Sequence, residues 1–400
     1  MKSFFEILFW TSAFLVFYTY AGYGIIVWIW IKLRQKMGLT KEITFDSQYV
    51  PTVTLVVPAY NERECIEAKW LNSLSLAYPK EKLKILFVTE GSTDGTTEYL
   101  QSITSPNENF PSAQVIGGQA RRGKIEAINQ AMKRVTTDIV VFSDANTNLN
   151  TNALQNLTRH FINPNVGAVA GEKRIQVHSS ETAAGAGEGI YWKYESFLKR
   201  LDTQLNSVVG AAGELFAVRR SLFQTVEKDT LLDDFVISLR IAEAGYQVVY
   251  EPEAYAMEAP SYSIFEEKKR KVRIAAGGFQ AMNRLRSLLN IFKHPILSFQ
   301  YISHRAMRWG VAPFCLIVLV LCNIVLATEH SFLFTILLYL QVLFYGMAAF
   351  GYLLEKQSLR LKLLFVPFYF TFMNACVLLG FWQYRQGIST GIWEKAKRAA

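Results

Sequence analysis

The stretch Ser143-Asp144-Ala145-Asn146 closes an apolar run, Ile139–Phe142, and puts a carboxylate and an amide carbonyl two residues apart at a predicted strand end. Hard oxygen donors of this kind suit Mg²⁺ or Mn²⁺, which use one or two carboxylates together with substrate phosphates. A second acidic pair, Asp233-Asp234, opens a predicted helix that Gly245 ends. The helix dipole alone favours acids in a first turn, so their position is explained with or without chemistry. No G-x-G-x-x-G or G-x-x-x-x-G-K-[ST] follows any strand, which removes the main support for dinucleotide-binding and P-loop readings. The four cysteines, Cys65, Cys315, Cys322 and Cys376, lack metal-ligand spacing, and no disulfide framework is expected.

These groups need a frame to position them. Thr52–Val57 is a β-branched run ending at Pro58, and Glu62–Leu76 follows with helical spacing. The alternation recurs: Leu83–Val88 then Gly95–Ile103, Ala113–Ile116 then Gly123–Val135, and Ile139–Phe142 then Asn152–Phe161. Repeated βα units predict a mainly parallel sheet with helices on both faces, and ligands bind beyond the carboxyl ends of such strands. Those ends carry Pro58-Ala59-Tyr60-Asn61-Glu62, Glu90-Gly91-Ser92-Thr93-Asp94-Gly95 and the Asp144 loop. A strand at Val166–Gly171, a long helix from Ala183 to Leu205, the run Leu215–Val218 and a strand at Gln247–Tyr250 complete the domain.

Composition places this domain on a membrane. Hydrophobic residues make up 51% and charged residues 19%, too apolar for an ordinary soluble chain. Phe4–Ile31, Val311–Ala327, Phe332–Leu354 and Leu363–Trp382 are the candidate spans. Lys32, Arg34, Lys36 and Lys41 follow the first, so the positive-inside rule puts residue 33 onward in the cytoplasm. Basic residues beside apolar segments make lipid headgroups, and not nucleic acid, the anionic partner of the +9 net charge. Three later crossings would leave the C-terminus outside, whereas Arg385, Lys395, Lys397 and Arg398 argue for inside. A re-entrant segment, or two short spans where one is counted, reconciles the two. Ser263–Trp309 mixes Lys and Arg with Ile, Phe, Leu and Met, as do helices lying in the interface plane with Trp309 at headgroup level. Amphipathic helices packed on the soluble domain are the alternative. The expected division is a membrane helix at 1–32, a catalytic domain at 50–260, amphipathic helices at 261–310, about three membrane helices at 311–383 and a basic tail at 384–400.

Taken in order, V-V-P-A-Y-N-E (56–62), E-G-S-T-D-G-T (90–96), R-G-K-I-E-A-I-N (122–129), D-A-N (144–146), D-D (233–234) and R-K-V-R (270–273) form a series. It resembles the family 2 inverting glycosyltransferases, in the membrane-embedded branch of hyaluronan, chitin, cellulose and poly-N-acetylglucosamine synthases. The resemblance implies a GT-A-like α/β fold, Rossmann-like, carrying α-helical transmembrane segments. It implies that Ala59, Tyr60, Glu62 and Glu90 line a uridine site, with Glu90 where the family has Asp. Asp94 either shares that work or caps the following helix. Lys124 matches a lysine that approaches the donor, and Asp144 the first metal-motif acid. Asn146 replaces the second metal-motif acid, with a carbonyl oxygen still able to coordinate. Asp234 matches the catalytic base, which accepts the acceptor's hydroxyl proton, and Asp233 helps position it. Arg270 and Arg273 fall where a diphosphate contact is expected, and a bidentate guanidinium suits phosphate. Ile274 stands where the family has Trp. Arg305-Ala306-Met307-Arg308-Trp309 matches the family letters better but abuts a span, and Arg308 is read there as an interfacial anchor. Trp192 and Tyr194, on the long helix, are substitute stacking platforms or core.

The implied activity is inverting transfer from a UDP-sugar to a saccharide acceptor at the inner membrane, with Mg²⁺ or Mn²⁺, the bilayer and accessory export subunits as the implied cofactor and partners. About four spans are few for a self-contained polymer channel, which keeps a lipid acceptor as the alternative. A non-catalytic scaffold is the reading from another class, and acids at 144 and 234 argue against it.

Overall fold

The computed structural model describes residues 2–39, 44–104, 111–118, 120–176, 183–259, 263–329, 331–356 and 361–387. The chain starts with a helical segment of 35 residues, Lys2–Lys36, made of α1 (Lys2–Phe17), one π-helical turn (Tyr18–Gly22) and α2 (Tyr23–Lys36). At 1.5 Å per residue this is about 52 Å, well beyond the ~30 Å of bilayer hydrocarbon. The surplus has a protein partner. Tyr23, Val27 and Ile31 of α2 bury one face against Leu198, Leu201 and Leu205, so part of the apolar run read as a span serves the catalytic domain.

In that domain β1 (Val53–Ala59), α3 (Arg63–Leu74), β2 (Leu83–Glu90), α4 (Thr96–Ile103), β3 (Ser112–Gly118), α5 (Lys124–Met132) and β4 (Ile139–Ser143) alternate as expected. Then follow β5 (Asn148–Leu149), α6 (Ala153–Thr158), β6 (Val166–Ile175), α7 (Ala183–Leu205), β7 (Leu215–Arg219), α8 (Asp233–Glu243) and β8 (Gln247–Glu258). The sheet order is β3-β2-β1-β4-β7-β6-β8-β5. β1 to β4 are parallel, β7 runs against both its neighbours, and β6 pairs parallel with β8. The strands are almost wholly apolar because both faces are covered. Val56 and Phe142 face a core shared with Ile125 and Phe235, while Leu55 and Val57 face one shared with Trp70 and Leu154. Pro58 is tolerated because β4 pairs with β1 only over Val53–Val56, so no ladder bond to β4 is lost.

The amphipathic stretch is α9 (Ile264–Arg284), α10 (Pro295–Tyr301), a π-helical turn (Ile302–Ala306) and α11 (Met307–Gly310), followed by α12 (Ala312–Thr328), α13 (Phe332–Lys356) and α14 (Lys362–Arg385). Trp309 does not face headgroups: its ring meets Phe235 edge-on at 5.5 Å and covers Gly278. Arg308 is no lipid anchor either, since it and Arg305 pair with the buried Glu195 of α7. Phe292 stays 90% exposed.

Lys2–Lys36, Phe332–Glu355 and Leu363–Arg385 are each long and apolar enough to cross a membrane. α12, with 17 residues, qualifies only with the preceding Pro295–Gly310, to which it is bent by 53°. Val311 and Pro313 break the helix there. Among the described residues this bent pair alone has the shape of a broken span or re-entrant loop. Residues 388–400, with most of the basic tail, lie outside the described residues, as do Lys41 and Arg360.

Three tyrosines at the first π-helical turn tie the N-terminal segment to distant parts of the chain. Tyr18 hydrogen-bonds Ser303 at 2.7 Å, Tyr20 donates to Asn374 of α14 at 2.7 Å and Tyr23 donates to Asp202 of α7. The Tyr20 carbonyl in this turn accepts from the Tyr194 hydroxyl at 2.6 Å.

Candidate active site

The carboxyl ends of β1, β2 and β4 open into a cavity of about 570 Å³. Asp144 stands one residue past β4, and α5 begins at Lys124, whose Nζ lies 2.8 Å from Asp144 Oδ1 and 3.5 Å from Asp233 Oδ2. Gly123, with φ of +94°, turns the chain into α5 and aims that lysine inward. Asp233 and Asp234 are the first two residues of α8. One ammonium thus holds acids from two elements far apart in sequence.

The electrostatics separate the acids. Burial, and then the Asp233 charge, push the Asp234 carboxyl up to about 7. Asp144 is also raised by burial, with Lys124 opposing. For Lys124, burial disfavours the ammonium, yet Asp144 and Asp233 hold it above the usual lysine value. Arg273 lines the same cavity and feels Asp233, Asp144 and Asp234, while Arg270 sits beside it, paired with Glu267 at 3.1 Å.

Ala59, Tyr60, Glu62 and Glu90 line the other end. The Arg121 guanidinium lies 4.1 Å over the Tyr60 ring. Glu90 Oε2 is buried with no hydrogen-bond partner among the described residues, and burial raises its pKa, with Arg122 opposing. Asp94 has both oxygens committed: Oδ1 accepts from the Thr96 amide and Oδ2 from the Arg63 amide, each at 3.0 Å. Of the two readings for Asp94, the loop-stapling one matches its contacts. Although burial raises it, hydrogen bonds from Thr96 and Arg63 bring its pKa below normal.

Spacing gave no sign of Glu214, Lys173 and Glu258. The buried Lys173 ammonium lies 2.5 Å from Glu214 Oε1 and also pairs with Glu258, while Asn146 Nδ2 donates to Glu258 at 3.4 Å. Asn146 is thereby oriented through its amide nitrogen. Trp309, expected at headgroup level or on a helix packed against the domain, lines the cavity together with Arg305. Its seat depends on Gly278, where an added Cβ would lie 2.5 Å from the indole. Gly278→Ala is expected to cost about 1–3 kcal/mol by overpacking and to lower transfer by displacing Trp309. Thermal unfolding in detergent and a transfer assay check the two effects.

A mostly parallel sheet with helices on both faces, acids at its strand ends and long apolar helices attached make a GT-A-like α/β architecture. The chain superposes with a TM-score of 0.71 on a mannosyltransferase from Pyrobaculum calidifontis, solved with GDP-Man and Mn²⁺, over 94% of this chain and 99% of that one at 23% identity. The sequence model for glycosyl transferase family 2 matches residues 54–226. The chain is similar to the poly-β-1,6-N-acetyl-D-glucosamine synthase of Staphylococcus aureus, 28% identical over 286 residues, 70% of this chain and 67% of that one. The synthase of the same name from Staphylococcus epidermidis is 26% identical over 266 residues, 65% of this chain and 62% of that one.

Proposed function

We propose that this glycosyltransferase moves a sugar from a UDP-sugar to a saccharide acceptor with inversion, at the cytoplasmic face of a membrane, in the synthesis of a cell-envelope polysaccharide. The observation that carries the reading is Lys124 pairing with both Asp144 and Asp233 beside Asp234, whose carboxyl is raised to about 7. Asp234 takes the proton of the attacking hydroxyl as its oxygen bonds the anomeric carbon and the bond to the diphosphate breaks on the opposite face. Asp233 keeps Asp234 basic through its charge. Lys124 and Arg273 offset the charge on the departing nucleoside diphosphate, with Arg270 beside them. Ala59, Tyr60, Glu62 and Glu90 hold the uridine, and the orphaned Glu90 oxygen suits a base or ribose contact. Asp144 and the Asn146 carbonyl fit Mg²⁺ or Mn²⁺, since one carboxylate plus donor phosphates suffices. When bound, the ion adds positive charge at the leaving diphosphate. The N-acetylhexosaminyl synthases among the relatives favour UDP-N-acetylglucosamine as donor.

Detergent-purified protein with Mg²⁺ or Mn²⁺, presented with a panel of nucleotide sugars, is expected to release UDP and to yield a mass-resolved glycan product. Release of GDP from GDP-mannose, with none from any UDP-sugar, would remove the uridine assignment.

A further inference from the structure

The cavity has a cation that the donor chemistry does not use. Lys199 of α7 lines it and is 3% exposed. Its ammonium lies 5.4 Å from the centre of the Tyr250 ring and 5.9 Å from that of Trp192. Among the described residues it makes no hydrogen bond or ion pair. Two other lysines approach the same indole, Lys173 at 5.4 Å and Lys271 at 6.0 Å, but each has acidic partners, Glu214 and Glu258 for one and Glu267 for the other. Glu172, which the Tyr250 and Ser196 hydroxyls bond, makes no ion pair with Lys199, and attraction to a ring face is weaker than the cost of taking an ammonium out of water, so the ammonium still needs a paired anion.

The donor diphosphate does not fit that need. Tyr250 pairs across the sheet with Ala170, Ala170 with Phe216 and Phe216 with Phe142. Three strand spacings, about 14 Å, therefore separate the Lys199 neighbourhood from the end of β4, where Asp144 stands. Trp192 is approached by both Lys199 and Lys173, at 5.9 and 5.4 Å, and Lys173 is itself paired with Glu214 and Glu258. The same cavity reaches Met373 and Val377, on α14, one of the helices apolar enough to cross a bilayer. An unmatched cation and a membrane-helix wall thus share one space.

We propose that Lys199 is the anion contact of a second subsite, which takes an acceptor carried by a phosphate ester on an apolar chain. The phosphate seats at Lys199 against Trp192 and Tyr250, the apolar chain runs along Met373 and Val377 of α14, and the saccharide end reaches Asp234. This rests on the transferase reading and adds the class of acceptor.

The test is equilibrium binding of decyl phosphate, decanol and inorganic phosphate to the full-length protein in a neutral maltoside detergent. Decyl phosphate is expected to bind at least tenfold more tightly than either control. The preference should fall at least tenfold in Lys199→Gln and return in Lys199→Arg. Equal binding of decyl phosphate and decanol overturns the anion contact, and equal binding of decyl phosphate and inorganic phosphate overturns the apolar arm. Undiminished preference in Lys199→Gln overturns the residue assignment. The three-probe comparison on the unaltered protein stands even if the variants do not fold. UDP release from sugar donors in the same preparation tests the transferase reading separately: release without a decyl phosphate preference sinks only the acceptor subsite, and no release sinks the transferase reading itself.

Discussion

Replacing Asp234 by Asn is expected to lower the transfer rate by about 10²–10⁴-fold, the usual contribution of a positioned base, in a protein that still folds. The side chain keeps its shape and its place at the start of α8. Because burial and Asp233 raise this carboxyl to about 7, the unaltered enzyme should lose activity as pH falls through that value. The residual activity of the variant should lack this acidic limb. Stability gives an independent readout. Between the ordinary value of 3.8 and about 7, the folded state holds a proton that the unfolded chain has released, so stability falls as pH rises through that window. Asn removes the fall, and the variant should melt no lower than the unaltered protein at pH 7.5. Wild-type transfer by folded Asp234→Asn would end the assignment of the base.

The second large effect is expected at Asp144. Asp144→Asn removes the charge that faces Lys124 at 2.8 Å and the only carboxylate of the D-A-N motif. Transfer should drop by about 10²-fold or more, the scale for losing one group that stabilises developing charge. The loss should be carried by donor binding and ion dependence: a higher donor KM, and a Mn²⁺ requirement shifted to higher concentration. Chelation should abolish transfer in the unaltered protein, and added Mn²⁺ should restore it. An Asp144→Asn protein with unchanged donor KM and ion dependence would show that the strand-end acid holds neither donor nor ion.

Much of this was legible in the sequence, for physical reasons. β1, β2 and β4 are largely buried on both faces, so apolar residues dominate them apart from Thr54, Lys84 and the polar strand ends, and such runs announce themselves between helices of period 3.6. Asp144 was legible because a polar residue directly after such a run must sit at the strand's open end. Trp309 was not legible. Its neighbours, Arg305 and Arg308, have the composition of a membrane boundary, and only the buried Glu195, more than a hundred residues earlier, turns them inward. Lys173, Glu214 and Glu258 were hidden for a similar reason: their charges meet only because β6 lies between β7 and β8. The length of the N-terminal helix was masked because lipid and a protein groove select the same apolar residues.

The tyrosines at the first π-helical turn order events during synthesis. Tyr18 and Ser303 are 285 residues apart, and Tyr20 and Asn374 are 354 apart. At about 5–20 residues per second, the ribosome delivers Ser303 roughly 15–60 s after Tyr18. Throughout that interval Tyr18 and Tyr20 lack their final partners, whereas Asp202, the partner of Tyr23, arrives earlier. A nascent chain stalled between Ser303 and Asn374 therefore has every strand of the sheet and the Tyr23–Asp202 tie, but lacks the Tyr20 latch to α14.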